Sequence, residues 1–138
     1  MPEKAGRTVL AFDFGIKRIG VAVGEPELGT AHPLPGIAAE GDARFAAIEK
    51  LVTDWRPARL VVGLPTAANG SVHAMTRRAA RFARQLHGRF RIPVELVDER
   101  YTSVEAEHRL RGSRATKLAI DSIAAQLILE QYFNERAA

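Results

Sequence analysis

Three acidic residues stand where a structural role alone explains them poorly: Asp13, Glu99 and Asp121. Asp121 has Leu118, Ala124, Ala125 and Ile128 at three, four and seven residues, so on a helix it lies on the apolar face. A lone carboxylate turned toward a core costs several kcal/mol unless it is paired or bound to a metal. Asp121 could instead cap a helix that starts further along. Asp13 follows Val9 and Ala11 on one side of a β-prone segment, where it could equally support the Gly-containing turn two residues later. Asp98-Glu99-Arg100 follows a short apolar segment, the place where ligand sites gather in open α/β sheets. Taken singly, the triplet also fits a solvated loop with a local Glu99–Arg100 ion pair. Together the three acids point to one chemistry. Clustered carboxylates repel and raise each other's pKa values, so they call for a cation. The match is a hard divalent ion with oxygen ligands, Mg²⁺ or Mn²⁺. Two such ions can stabilise the attacking and leaving oxygens of a phosphodiester.

Basic residues surround these positions. Lys117 lies one turn before Asp121 and is expected near the scissile phosphate, where its ammonium would offset transition-state charge; a solvated helix start is the other reading. Lys17, Arg18, Arg100, Arg111 and Arg114 are expected to bind the nucleic-acid backbone. Arg77, Arg78, Arg81 and Arg84 share a helix, as a solvated face or as a phosphate contact. Sixteen arginines and four lysines against 16 acids leave a net charge of +4, and arginine's planar fork suits phosphate oxygens. A polyanionic partner, nucleic acid first, fits that balance.

Other chemistries are excluded or unsupported. There is no cysteine, hence no disulfide, thiolate metal site or Cys nucleophile. His32, His73, His87 and His108 lack metal-ligand spacing, and Ser71 and Ser103 lack a neighbouring His and acid. No signal peptide and no apolar run of membrane-spanning length is present, so a soluble cytoplasmic protein is expected.

The elements that must position these residues follow from periodicity. A strand over Arg7–Phe14, a tight turn Gly15–Arg18 and a strand over Ile19–Val23 make an antiparallel pair. Glu25–Gly36 reads as loop, with a third strand near Gly36–Ala39. A helix over Phe45–Trp55, with Phe45 and Trp55 on its core stripe, ends at Pro57. Arg59–Leu64 reads as a strand buried on both faces. Pro65–Ser71 is a loop turning at Asn69-Gly70. A helix over Val72–Leu86 stops at Gly88, and Pro93–Val97 is a strand with Asp98–Thr102 as its exit loop. Ser103 is set to cap a helix to about Leu110, and a last helix spans Lys117–Asn134. The expectation is one α/β domain over residues 1–138. Its central sheet is mixed, antiparallel N-terminal strands plus parallel strands, with helices on both faces.

Four segments resemble the YqgF/RuvX family of Holliday junction resolvases, of the ribonuclease H-like superfamily. They are Ala11-Phe12-Asp13-Phe14-Gly15-Ile16-Lys17-Arg18-Ile19-Gly20-Val21-Ala22-Val23, Val61-Val62-Gly63-Leu64-Pro65, Asp98-Glu99-Arg100-Tyr101-Thr102-Ser103 and Ile120-Asp121-Ser122-Ile123-Ala124-Ala125. The resemblance implies a ribonuclease H-like fold, with catalytic acids at Asp13, Glu99 and Asp121. It links the family both to junction resolution and to trimming of the 5′ end of precursor 16S ribosomal RNA. The chain departs at Gly24-Glu25, where the family has Ser-Asp, at Asn69 and at Tyr101, none of them a mapped acid. The leading expectation is a metal-dependent Holliday junction resolvase, a homodimer because a junction needs two nicks. The alternatives are a nuclease of precursor ribosomal RNA and a non-catalytic nucleic-acid-binding module. A sugar-kinase-like ATPase would need a second domain, which 138 residues cannot supply.

Overall fold

The computed structural model describes residues 7–65, 73–99 and 116–137. In chain order they form β1 (Val9–Phe14), β2 (Ile19–Glu25), β3 (Thr30–Ile37), α1 (Gly41–Trp55), β4 (Arg59–Pro65), α2 (Ala74–Phe90), β5 (Val94–Glu99) and α3 (Lys117–Ala137). The sheet order is β3-β2-β1-β4-β5. β1 pairs antiparallel with β2, and β2 with β3, while β1–β4 and β4–β5 are parallel. The expected mixed sheet is therefore present.

Two cores flank it. On one face, Leu10 and Phe12 of β1 meet Phe45 and Ile48 of α1 and Phe82 and Leu86 of α2. Phe82 is the hub, with ring centroids 4.9 Å from Phe14, 6.0 Å from Phe45 and 6.1 Å from Phe12. On the other face, Val9 and Ala11 alternate with that set and pack against Ala125, Ile128, Leu129, Tyr132 and Phe133 of α3. Helices thus cover both faces, and α3 alone among the described helices covers the side to which odd-numbered β1 residues point.

Several boundaries differ from expectation. β3 begins at Thr30, inside the expected loop, because its Pro33 and Pro35 sit on an edge strand, where a missing N–H donor is tolerated. α1 starts at Gly41, four residues early, and Trp55 is 41% exposed rather than core, since it ends the helix beyond the packed stripe. α2 starts at Ala74, not Val72. Its N-cap is His73, whose Nδ1 accepts from the Met75 N–H at 3.2 Å, while the Thr76 hydroxyl accepts from the His73 N–H at 3.2 Å. Gly88 does not stop α2. The helix runs to Phe90 and closes on Arg91 in the left-handed region. An exposed mid-helix glycine costs only about 1 kcal/mol, and burial of Phe90 against the first core offsets it. β5 extends to Glu99, so Asp98 and Glu99 end a strand instead of opening an exit loop. The Asn69-Gly70 turn and the helix expected after Ser103 lie outside the described residues. Among the described residues no helix is long and apolar enough to cross a membrane.

Candidate active site

The site forms where β1, β4 and β5 end and α3 begins. Asp13 continues the Val9–Ala11 face of β1 and so points toward α3. Its register partner on β2 is Gly20. A β-carbon at position 20 would fall 1.9 Å from the Asp121 carbonyl oxygen, so the backbone of α3 rests directly on this glycine. Beside it, the Val21 N–H donates to the buried Ser122 hydroxyl at 3.1 Å, next to the register irregularity between Ile19 and Val21. These two contacts seat Asp121 across the hairpin from Asp13.

Glu99 arrives from two strands away. On β5 it alternates with Val97, whose side chain belongs to the α3-side core, so Glu99 shares that face and Asp98 takes the other. Asp98 is exposed, and its carbonyl accepts from Gln131 Nε2 at 2.9 Å. To meet Asp13, the Glu99 side chain must cross β4. It crosses at Gly63, where a β-carbon would stand 3.2 Å from Glu99 Oε2 and 2.4 Å from Ile128 Cδ1. Asp13 and Glu99 share a hydrogen bond.

Electrostatics follow from this crowding. Burial, then the charge and hydrogen bond of Glu99, then the charge of Asp121 push the Asp13 carboxyl well above the usual carboxylate range. Asp121 is engaged from the other side by Arg18, whose Nε donates to Oδ2 at 2.7 Å and whose own pKa is raised by that bond. A cleft of about 340 Å³ opens here, lined by Asp13, Asp121 and the turn residues Phe14 to Arg18. Among the described residues, no three acidic or histidine side chains make a ready-made metal cage. The donor set nevertheless fits a hard divalent cation. It is all oxygen, and the crowding of carboxyls that raises the Asp13 pKa is what a bound cation would relieve. Asp13, Glu99 and Asp121 are the residues that would hold Mg²⁺ or Mn²⁺, and Arg18 is paired with Asp121 in its place.

The three expected acids are thus brought to one place. The alternative reading of Asp121 as a helix cap fails, because α3 opens at Lys117 and the Thr116 hydroxyl accepts from the Ala119 N–H at 3.1 Å. Lys117 is exposed on the first turn of α3. Lys17 is exposed at the cleft, and Arg18 meets Asp121 as well as lining it. Arg100, Arg111 and Arg114 lie outside the described residues. Sequence reasoning missed Arg44, which is buried and bonded to the turn carbonyls. A signal existed. Arg44 stands four and seven residues before Ile48 and Leu51, on the apolar stripe of α1.

Known proteins resemble this chain along most of its length. A profile of the RuvX family, described as Holliday junction resolvase, matches residues 7–135. A protein of Methylobacillus flagellatus is 53% identical, covering all of both chains, and one of Dechloromonas aromatica is 56% identical, covering 91% of this chain and 90% of its own. Both are described provisionally as a pre-16S rRNA nuclease. Among solved structures, Thermus thermophilus RuvC superposes with a TM-score of 0.53 at 17% identity, covering 94% of this chain and 96% of that one. At that identity the likeness establishes a shared ribonuclease H-like fold.

Proposed function

The chain belongs to the RuvX family, and from that membership we propose that it is a divalent-metal-dependent nuclease that trims the 5′ end of precursor 16S ribosomal RNA. The observation that carries the substrate is the description shared by relatives more than half identical over nearly whole chains. This reverses the order expected from sequence, where the junction resolvase came first. The junction reading stays second, favoured by the family's description. It is the reading that requires a homodimer acting on branched DNA.

Asp13, Glu99 and Asp121 are the catalytic acids in this proposal. Mg²⁺ or Mn²⁺ bound by them, as one ion or two, would supply positive charge to the attacking and leaving oxygens of the phosphodiester. The protein's own part is positional. Gly63 lets Glu99 reach Asp13, and Gly20 with Ser122 holds Asp121 opposite. Lys17 and Arg18 flank the cleft and are placed to take the backbone phosphates of the RNA. Arg100, Arg111 and Arg114, which lie outside the described residues, are assigned the same role from the sequence alone. Lys117 would offset charge near the scissile phosphate. The nuclease domain spans residues 1–138 and acts in the cytoplasm, where its substrate is made.

The test is a cleavage assay on purified protein with Mg²⁺ or Mn²⁺, offering precursor RNA that spans the 16S 5′ end, a four-way DNA junction and linear duplex DNA. Metal-dependent shortening of the precursor at its 5′ end is expected. Paired nicks in the junction with an untouched precursor would replace this reading with the second. Full activity in excess chelator would remove the metal.

A further inference from the structure

We propose that Arg44 is a positioning residue of this site: it pins the β1–β2 turn so that consecutive backbone amides face the cleft and bind a phosphodiester oxygen. The proposal rests on the nuclease reading for the identity of that anion.

Arg44 lies in the first turn of α1 and is only 7% exposed. Its Nε donates to the Ala39 carbonyl at 2.9 Å, and its Nη2 donates to the carbonyls of Gly15 at 2.9 Å and Ile16 at 2.5 Å. The guanidinium also stands over the Phe14 ring, 5.3 Å from its centroid. Burying a guanidinium is costly unless its N–H groups are matched. Its neighbours along the stripe, Ile48 and Leu51, are apolar, so packing alone would be served as well by a leucine. A leucine could not hold two successive carbonyls.

That hold has a consequence on the opposite side of the turn. In a planar trans peptide the C=O and N–H point in opposite directions. With the carbonyls of residues 15 and 16 turned to Arg44, the N–H groups of Ile16 and Lys17 point away from α1. α1 packs on the Phe12 face of the sheet, whereas Asp13 and Asp121 lie on the α3 face. The two amides are therefore directed to the side where Gly15, Ile16 and Lys17 line the cleft. Successive N–H groups on one side make a concavity for an anion. Lys17 on the same turn adds charge without sequence preference, which suits a nucleic-acid backbone.

Arg44→Lys keeps the charge but loses the planar fork, and Arg44→Met keeps the length without donors. Each would be compared with wild type well below its own melting temperature, using two readouts. The first needs no activity: the amide resonances of Ile16 and Lys17 are followed by NMR during titration with a short phosphorothioate RNA in the absence of metal. Both should move in wild type, and the apparent affinity should fall several-fold in both variants. The second is single-turnover cleavage of precursor RNA with Mn²⁺, which should fall by about a hundredfold in both variants. A lower melting temperature with unchanged amide response and cleavage would make Arg44 merely structural and overturn the proposal. So would wild-type amides that ignore the RNA, a result that stands even where neither variant folds. If wild type cleaves nothing while its amides respond, the nuclease reading fails and the positioning role stands.

Discussion

Asp13 concentrates the electrostatics of the site, and its removal should separate stability from activity. Its carboxyl is pushed up by burial first, then by Glu99, then by Asp121. A folded-state pKa above the unfolded one means that the folded protein keeps this proton longer. The stability the proton contributes is fully present below the unfolded carboxyl range and is lost as pH rises through the raised folded value. Above the unfolded carboxyl range the metal-free protein is therefore less stable than it is in acid, whether it holds the proton or gives it up. Asp13→Asn should raise the melting temperature of the metal-free protein at pH 8 while leaving it little changed near pH 3, measured by thermal denaturation in chelator. A lower melting temperature at pH 8 would contradict the charge argument. The same substitution, like Glu99→Gln and Asp121→Asn, should reduce cleavage on the order of a hundredfold or more while gel-shift affinity for the RNA persists. A wild-type rate in any one of them would remove that residue from the site. Asp121 was legible because a carboxylate among apolar helix neighbours calls for a partner. The choice of Glu99 over Asp98 becomes a matter of strand alternation once β5 is known to reach residue 99. Arg44 offered the same contradiction as Asp121, yet an arginine in an arginine-rich chain reads as surface.

At the scale of elements, the site depends on how closely α3 lies on the hairpin. The β-carbon of Gly20→Ala would collide with the Asp121 carbonyl, a backbone atom that no rotamer change can move aside. The helix must shift, and a displacement of the order of 1 Å can cost about a hundredfold in rate. Gly20→Ala should therefore lower cleavage together with stability. Ser122→Ala leaves the Val21 N–H buried without its acceptor and should cost about 1–3 kcal/mol, read by denaturant unfolding. A Ser122→Ala protein as stable as wild type would show that another acceptor takes over. The far end of α3 is anchored separately. Glu95 of β5 accepts from Arg59 at 2.9 Å, from Arg136 at 3.1 Å and from the Tyr132 hydroxyl. Periodicity revealed the strongly apolar strands and the helices that cover them. It placed the third strand near Gly36–Ala39, catching only the end of β3, because the prolines of Thr30–Ile37 mimic a loop, and it misplaced the end of α2, where a glycine outweighed the packing of Phe90 in a reading that could not see the core. Whether a glycine marks a turn or a close approach depends on what lies across from it. Gly20 and Gly63 read simply as members of their strands, and their part as points of close approach appears only once α3 and Glu99 are placed.

For the whole molecule, the question is how charge and oligomeric state fit one substrate. The exposed Arg77, Arg78, Arg81 and Arg84 lie on α2, a helix without a single acid, but α2 covers the face opposite Asp13 and Asp121. Nucleic acid in the cleft should meet Lys17 and not the outer side of α2. Lys17→Gln is then expected to reduce the slope of log affinity against log salt by about 0.7–0.9, whereas Arg81→Gln and Arg84→Gln leave it unchanged. Equal losses at both places would mean that the RNA wraps around the sheet. The apolar surface bears on oligomeric state. Leu28 and Trp55 are 69% and 41% exposed and line one groove with Thr8, Val23 and Leu34. That groove lies by the start of β1, at the opposite end of the strand from Asp13. Two copies joined through it would carry their clefts at opposite poles, a poor arrangement for paired nicks close together on one junction. Trimming a single 5′ end requires one cleft, and a monomer suffices. Light scattering on Asp13→Asn protein bound to precursor RNA should therefore give one 15.1 kDa protomer per RNA. Two protomers on a four-way junction, with no stable complex on the precursor, would show that the two clefts meet through some other surface and would restore the junction as substrate.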